Sequence, residues 1–163
     1  MLGSRHVITT LLVASALNLA LMVPGCFVET RDFSAYPAMV LGAFNVFLTV
    51  LGLGSLVLAY IIAKTSKGNG WAALAGLAFV GVYLLDLGRI FPVPPNPMST
   101  LLATLEWIGA GLGIALAASS VALRGAANTA TSAKPTLPMT VVLGLVLVAL
   151  IIVAFATKSA MGI

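Results

Sequence analysis

The chain has 163 residues, 61% of them hydrophobic and 7% charged, with a mean hydropathy of +1.16. Soluble domains carry roughly a quarter charged residues, so a water-soluble domain is excluded and a helical membrane protein is expected. The formal charge of +4 does not call for nucleic acid, because basic residues that flank apolar runs are a membrane-boundary pattern.

About 20 apolar residues cross a hydrocarbon core, and their backbone polar groups must be satisfied within the segment. Five stretches meet this requirement and predict helices at about 6–28, 38–63, 71–91, 99–123 and 138–157. The alternation of a transmembrane β-barrel is absent. The expected fold is therefore an all-α integral membrane protein in one domain over residues 1–163, a four-helix bundle with a peripheral fifth helix.

The first segment follows Arg5 and contains Asn18, Pro24 and Cys26. "VPGC" (Val23 to Cys26) resembles a bacterial lipoprotein cleavage site, but Pro24 departs from that pattern. A first helix that contains the proline is the expected reading, with lipidation of Cys26 left open. Cys26 is the only cysteine and His6 the only histidine. An intramolecular disulfide is thereby excluded, as are bis-histidine haem and multi-histidine metal sites within one chain. No cofactor and no metal are expected.

The first loop, "ETRDFSAYP", holds Glu29, Arg31 and Asp32. On the second segment Asn45, Thr49 and Gly52 share a face, since residues three or four apart align on a helix. On the third, "YLLDLGRIF" places Tyr83, Asp86 and Arg89 in one stripe. Asp86 and Arg89 are expected to pair along one helical turn. On the fourth, Glu106, Gly109 and Gly113 share a face. "GAGLG" resembles a dinucleotide-binding loop in letters only, because that motif needs a strand-to-turn context. Inside a membrane helix the Gly109/Gly113 spacing serves close helix packing. A stripe of Asn18, Met22, Cys26 and Glu29 is expected on the first helix. The linker "RGAANTATSAKPTLP" precedes a fifth segment whose run "VVLGLVLVALIIVAF" has no polar side chain. That helix is expected to face lipid or another subunit.

The four carboxylates, Glu29, Asp32, Asp86 and Glu106, all fall towards one end of the bundle. By the ~1.5 Å rise per residue, Asp86 lies about 8 Å and Glu106 about 11 Å below the boundary. Isolated charges at such depth are costly and commonly functional. Glu106 needs Arg89 or Arg31 as a partner; otherwise it would carry a proton. Basic residues favour the opposite end, with Arg5, Lys64, Lys67, Arg124 and Lys134 there against Arg31, Arg89 and Lys158. The positive-inside rule then puts the N-terminus in the cytoplasm and the C-terminus outside, in a cell membrane such as a bacterial inner membrane.

The candidate polar cluster, or ion or ligand site, is thus Asn18, Glu29, Arg31, Asp32, Asn45, Tyr83, Asp86, Arg89 and Glu106. No motif identifies a family. The expected function is a small non-catalytic membrane protein, an accessory or structural subunit of a larger complex. Its partners would be the lipid bilayer and other membrane subunits or further copies of itself. The alternative is a small transporter or channel drawing a cation or proton to the carboxylates. A third reading is a membrane enzyme with Asp86 and Glu106 as an acid/base pair.

Overall fold

The computed structural model describes residues 2–65, 67–123 and 137–163. The expected linker, with Arg124 and Lys134, falls almost entirely outside the described residues. Among the described residues the architecture is five helices: α1 (Leu2–Leu21), α2 (Ala38–Thr65), α3 (Asn69–Leu87), α4 (Thr100–Ala122) and α5 (Met139–Ala160). No strand occurs among the described residues. Four of them, α2 to α5, are long and apolar enough to cross a membrane, while the apolar part of α1, Arg5–Leu21, is shorter.

Local chemistry sets the helix ends. Ser99 caps α4, its hydroxyl accepting a hydrogen bond from the Leu102 N–H at 3.1 Å, as N-cap serines do. A left-handed Gly68 (φ 114°) turns the chain into α3. The first helix ends seven residues earlier than expected, at residue 21 instead of 28, and begins earlier, at Leu2. A residue before proline is driven out of the helical region, and α1 ends at Leu21, ahead of Pro24. Gly25 then adopts φ +89°. Cys26 and Glu29 consequently lie in a loop, and the expected stripe along α1 stops at Asn18. The third helix also ends early, at Leu87. Arg89 sits beyond it with φ 53°, a conformation uncommon for any residue but glycine.

Helices α1 to α4 form a ring. The α3–α4 pair is the most extensive contact, α1 packs on α2 and α4, and α2 meets α3 lightly. Ile8, Leu12, Leu51, Ile62, Phe79, Tyr83 and Leu116 belong to its core. At the α3–α4 crossing the backbones touch. A Cβ on Gly76 would lie 2.7 Å from the Gly113 carbonyl oxygen, and one on Gly113 would lie 2.9 Å from that of Gly76. This is the close approach that small residues permit between membrane helices. α5 stands outside the ring and rests on α2, with only Ala156 and Ala160 buried.

One end of the bundle carries residues 22–37, residues 88–99 and the C-terminal end of α5. These segments are stitched together. The Phe33 N–H donates to the Ala160 carbonyl at 3.1 Å, and the Val93 N–H donates to the Tyr36 hydroxyl at 2.8 Å. Phe91 takes Tyr36 and Phe44 edge-on, at centroid separations of 5.6 and 5.1 Å. This roof presses the first loop into the ring.

Candidate functional site

Arg31 is the centre of the site. It enters from the first loop, and its side chain is 5% exposed. Two carboxylates grip it. Nη1 and Nη2 donate to Asp86 Oδ1 and Oδ2 at 2.8 and 2.6 Å. Nη2 also donates to Glu29 Oε2 at 2.6 Å, and Nε to Glu29 Oε1 at 2.9 Å. The Arg31 backbone N–H closes a further bond to Glu29 Oε1 at 3.0 Å. Planar, two-pronged pairing with carboxylates is the geometry guanidinium suits best. The cation also stands 5.4 Å from the Phe33 ring centroid, within reach of a cation–π attraction. Burial alone would lower the pKa of Arg31, but hydrogen bonds to Asp86 and Glu29 outweigh it and raise the value above the usual range. The guanidinium is therefore a permanent positive charge inside the roof.

Glu106 reaches the same cation from α4, with Oε1 at 3.9 Å from Arg31 Nη2. Its Oε2 is buried without a hydrogen-bond partner. Beneath it, Asn18 Nδ2 donates to the Tyr83 hydroxyl at 3.2 Å and to the Leu105 carbonyl at 3.1 Å, tying α1 to α3 and α4. Gly109 makes this possible, because a Cβ there would fall 2.5 Å from Tyr83 Cζ and 2.6 Å from Asn18 Nδ2. A cavity of about 60 Å³ adjoins the cluster. Leu19, Met22, Phe44 and Leu48 supply apolar wall, and Glu29, Arg31, Asn45, Tyr83, Asp86 and Glu106 the polar side.

Seven of the nine expected site residues thus converge: Asn18, Glu29, Arg31, Asn45, Tyr83, Asp86 and Glu106. Asn45 lines the cavity while its amide donates to Thr157 Oγ1 of α5 at 3.1 Å. The other two do not join. Asp32 is exposed and turns back to accept the Ser34 N–H at 2.8 Å; that bond holds its carboxyl below the usual pKa. Arg89 is exposed, and among the described residues no ion pair links it to Asp86. The expected helical Asp86–Arg89 pair is replaced by Asp86–Arg31 because α3 stops at Leu87 and the chain turns outward at Arg89.

Sequence reasoning missed Phe33, Thr157 and the Leu105 carbonyl as contributors. Thr157 follows an otherwise apolar run, and that single hydroxyl was the available signal. Among the described residues no group of three His, Cys, Asp or Glu side chains is arranged to hold a metal ion.

No curated protein and no solved structure matches the chain. A family model does match, over residues 4–136, a stretch that takes in α1 to α4 and ends before α5. The chain belongs to that family, described as Domain of unknown function (DUF8051).

Proposed function

We propose that this small membrane protein is a non-catalytic accessory or structural subunit of a larger membrane complex, with its N-terminus in the cytoplasm. The observation that carries this reading is α5. It lies outside the family-matched stretch, and Leu143, Leu147, Leu150 and Ile151 leave its apolar face uncovered. A helix with that surface suits lipid or a second membrane protein. The charged cluster supports a structural role, because Asp86 is engaged by Arg31 on both oxygens and is poorly placed to act as a free base. The site residues then serve as a clamp that locks the first loop to α3 and α4.

A photo-crosslinking residue at Leu147, introduced into the full chain in its native membrane, tests the subunit reading. Capture of one defined membrane protein, or of a second copy, is the expected result; adducts with lipid alone would overturn it. The proposed orientation has its own test, after Cys26→Ser removes background labelling. Cysteines at the exposed positions Ser34 and Asn96 should react with an impermeant thiol reagent from outside the cell. One at exposed Lys67 should not, and reversed labelling would invert the orientation.

A transporter is the second reading, favoured by the cavity beside the carboxyls. The other half of the bundle offers no acidic residue to continue a cation path, so this reading ranks lower.

A further inference from the structure

Arg31 has five N–H donors, and two acids take most of them. Both hydrogens of Nη2 are committed, to Glu29 Oε2 and Asp86 Oδ2, each at 2.6 Å. Nε is committed to Glu29 and one hydrogen of Nη1 to Asp86. Glu106, at 3.9 Å from Nη2, is therefore attracted by the charge but receives no hydrogen bond from that nitrogen. Its side chain is 2% exposed, and its Oε2 has no partner in the protein. Buried polar atoms in this condition are few in folded proteins and call for an explanation. A second, independent observation is the cavity that Glu106 lines, about 60 Å³ in volume. A single water needs about 10–15 Å³, so there is room for a group of several atoms.

The chemistry of an occupant can be read from the wall. Three carboxyls share one guanidinium, which favours a positive charge. As a carboxylate, Glu106 leaves Oε2 an acceptor without a donor, which an N–H or O–H group would supply. The metal-ligand grouping is missing among the described residues, which disfavours a bare metal ion. Leu19, Met22, Phe44 and Leu48 suit a short hydrocarbon stem. We infer that the cavity binds the ammonium head of a primary amine, with Glu106 as its acceptor and the apolar wall around its stem. This site goes beyond the subunit reading and does not depend on what covers α5. The ammonium can come from a free alkylamine or from the ethanolamine headgroup of a phospholipid, since the cavity lies towards a membrane boundary.

The test is calorimetric titration of the full chain in phosphatidylcholine nanodiscs with propylammonium chloride. Tetramethylammonium chloride, a cation without N–H, is the comparison. Saturable heat with propylammonium and none with tetramethylammonium is expected. E106Q should weaken binding about tenfold or more, the scale of a lost charged hydrogen bond. L48W should weaken it similarly by filling the cavity while every acid remains. D32N, at an exposed acid of the same loop, should bind as the wild type does. Nanodiscs containing phosphatidylethanolamine distinguish the sources: suppression of the propylammonium heat identifies the headgroup, and undiminished heat identifies the free amine. Absence of saturable propylammonium binding, equal binding of tetramethylammonium, wild-type affinity in L48W or a loss in D32N matching that in E106Q would overturn the proposal. The comparison of the two cations on the wild-type chain decides even if a variant fails to fold.

Discussion

Helices α4 and α5 have nearly equal lengths, 23 and 22 residues, and both are apolar enough to cross a membrane. They use that apolarity in opposite ways. A third of the α4 span is buried, against 6% of the α5 span. α4 buries Glu106, Gly109, Ala110, Gly113 and Ser120 together with Leu102 and Leu116, so the face that packs is mostly small and polar. α5 has no such face until its last turns, where Thr157 and Ala160 engage Asn45 and Phe33. Lipid is as apolar as leucine, so hydrophobicity alone gives membrane helices little reason to associate; close backbone approach and polar contacts do. The apolar helix is therefore the peripheral one, and the helix carrying a carboxyl is central.

The largest effect expected from this contrast falls on the charge that α3 and α4 share with the first loop. Arg31→Met leaves buried carboxylates without their cation and should lower unfolding stability in detergent by about 3–5 kcal/mol. Arg89→Met, at an exposed residue outside the clamp, should change it by less than ~0.5 kcal/mol. Equal losses would mean that the buried pairing does not distinguish the two arginines.

Glycine substitutions come next. Gly113→Leu forces apart backbones that touch at Gly76, and overpacking of this kind costs about 1–3 kcal/mol or more. Gly144→Leu on α5 adds a side chain into open space and should stay within ~0.5 kcal/mol. Similar thermal unfolding shifts for both would erase the distinction between the central and the peripheral helix.

A smaller effect belongs to the polar contact under the clamp. Tyr83→Phe removes the hydroxyl that accepts from Asn18, and a loss of about 1 kcal/mol is expected for one such bond. The Asn18 amide keeps the Leu105 carbonyl as a second acceptor, which limits the damage. A loss near that of Arg31→Met would show that Tyr83, rather than the cation, holds this end together.

Much of the helical layout was legible because long apolar runs leave the backbone no alternative in lipid. The α4 face of Glu106, Gly109 and Gly113 was legible for the same reason, through helical periodicity. The pairing of the acids was not. Arg89 stands three residues after Asp86 in sequence, and a continued helix would have joined them; Gly88 and a left-handed Arg89 end that helix instead. The start of the first loop carried a readable signal in Pro24 and Gly25, since proline restricts the residue before it and glycine accepts positive φ. Those two residues release Glu29 and Arg31 from α1, so the charges reach the site from a loop. No local pattern encodes which charge a loop arginine will meet across 55 residues of chain.

Arg31 and Asp86 act as one buried unit joining the first loop to the helical ring. A double-mutant cycle on Arg31→Met and Asp86→Leu, read as unfolding stability of the full chain in detergent, tests it directly. Residues bound within one ion-pair network show coupling of about 0.5–3 kcal/mol, and the two-pronged contact at 2.6 and 2.8 Å places this pair at the upper end. The double variant should therefore be more stable than the sum of the single losses implies, by about 2–3 kcal/mol. Losses that add to within ~0.5 kcal/mol would mean that Arg31 and Asp86 do not act as one unit.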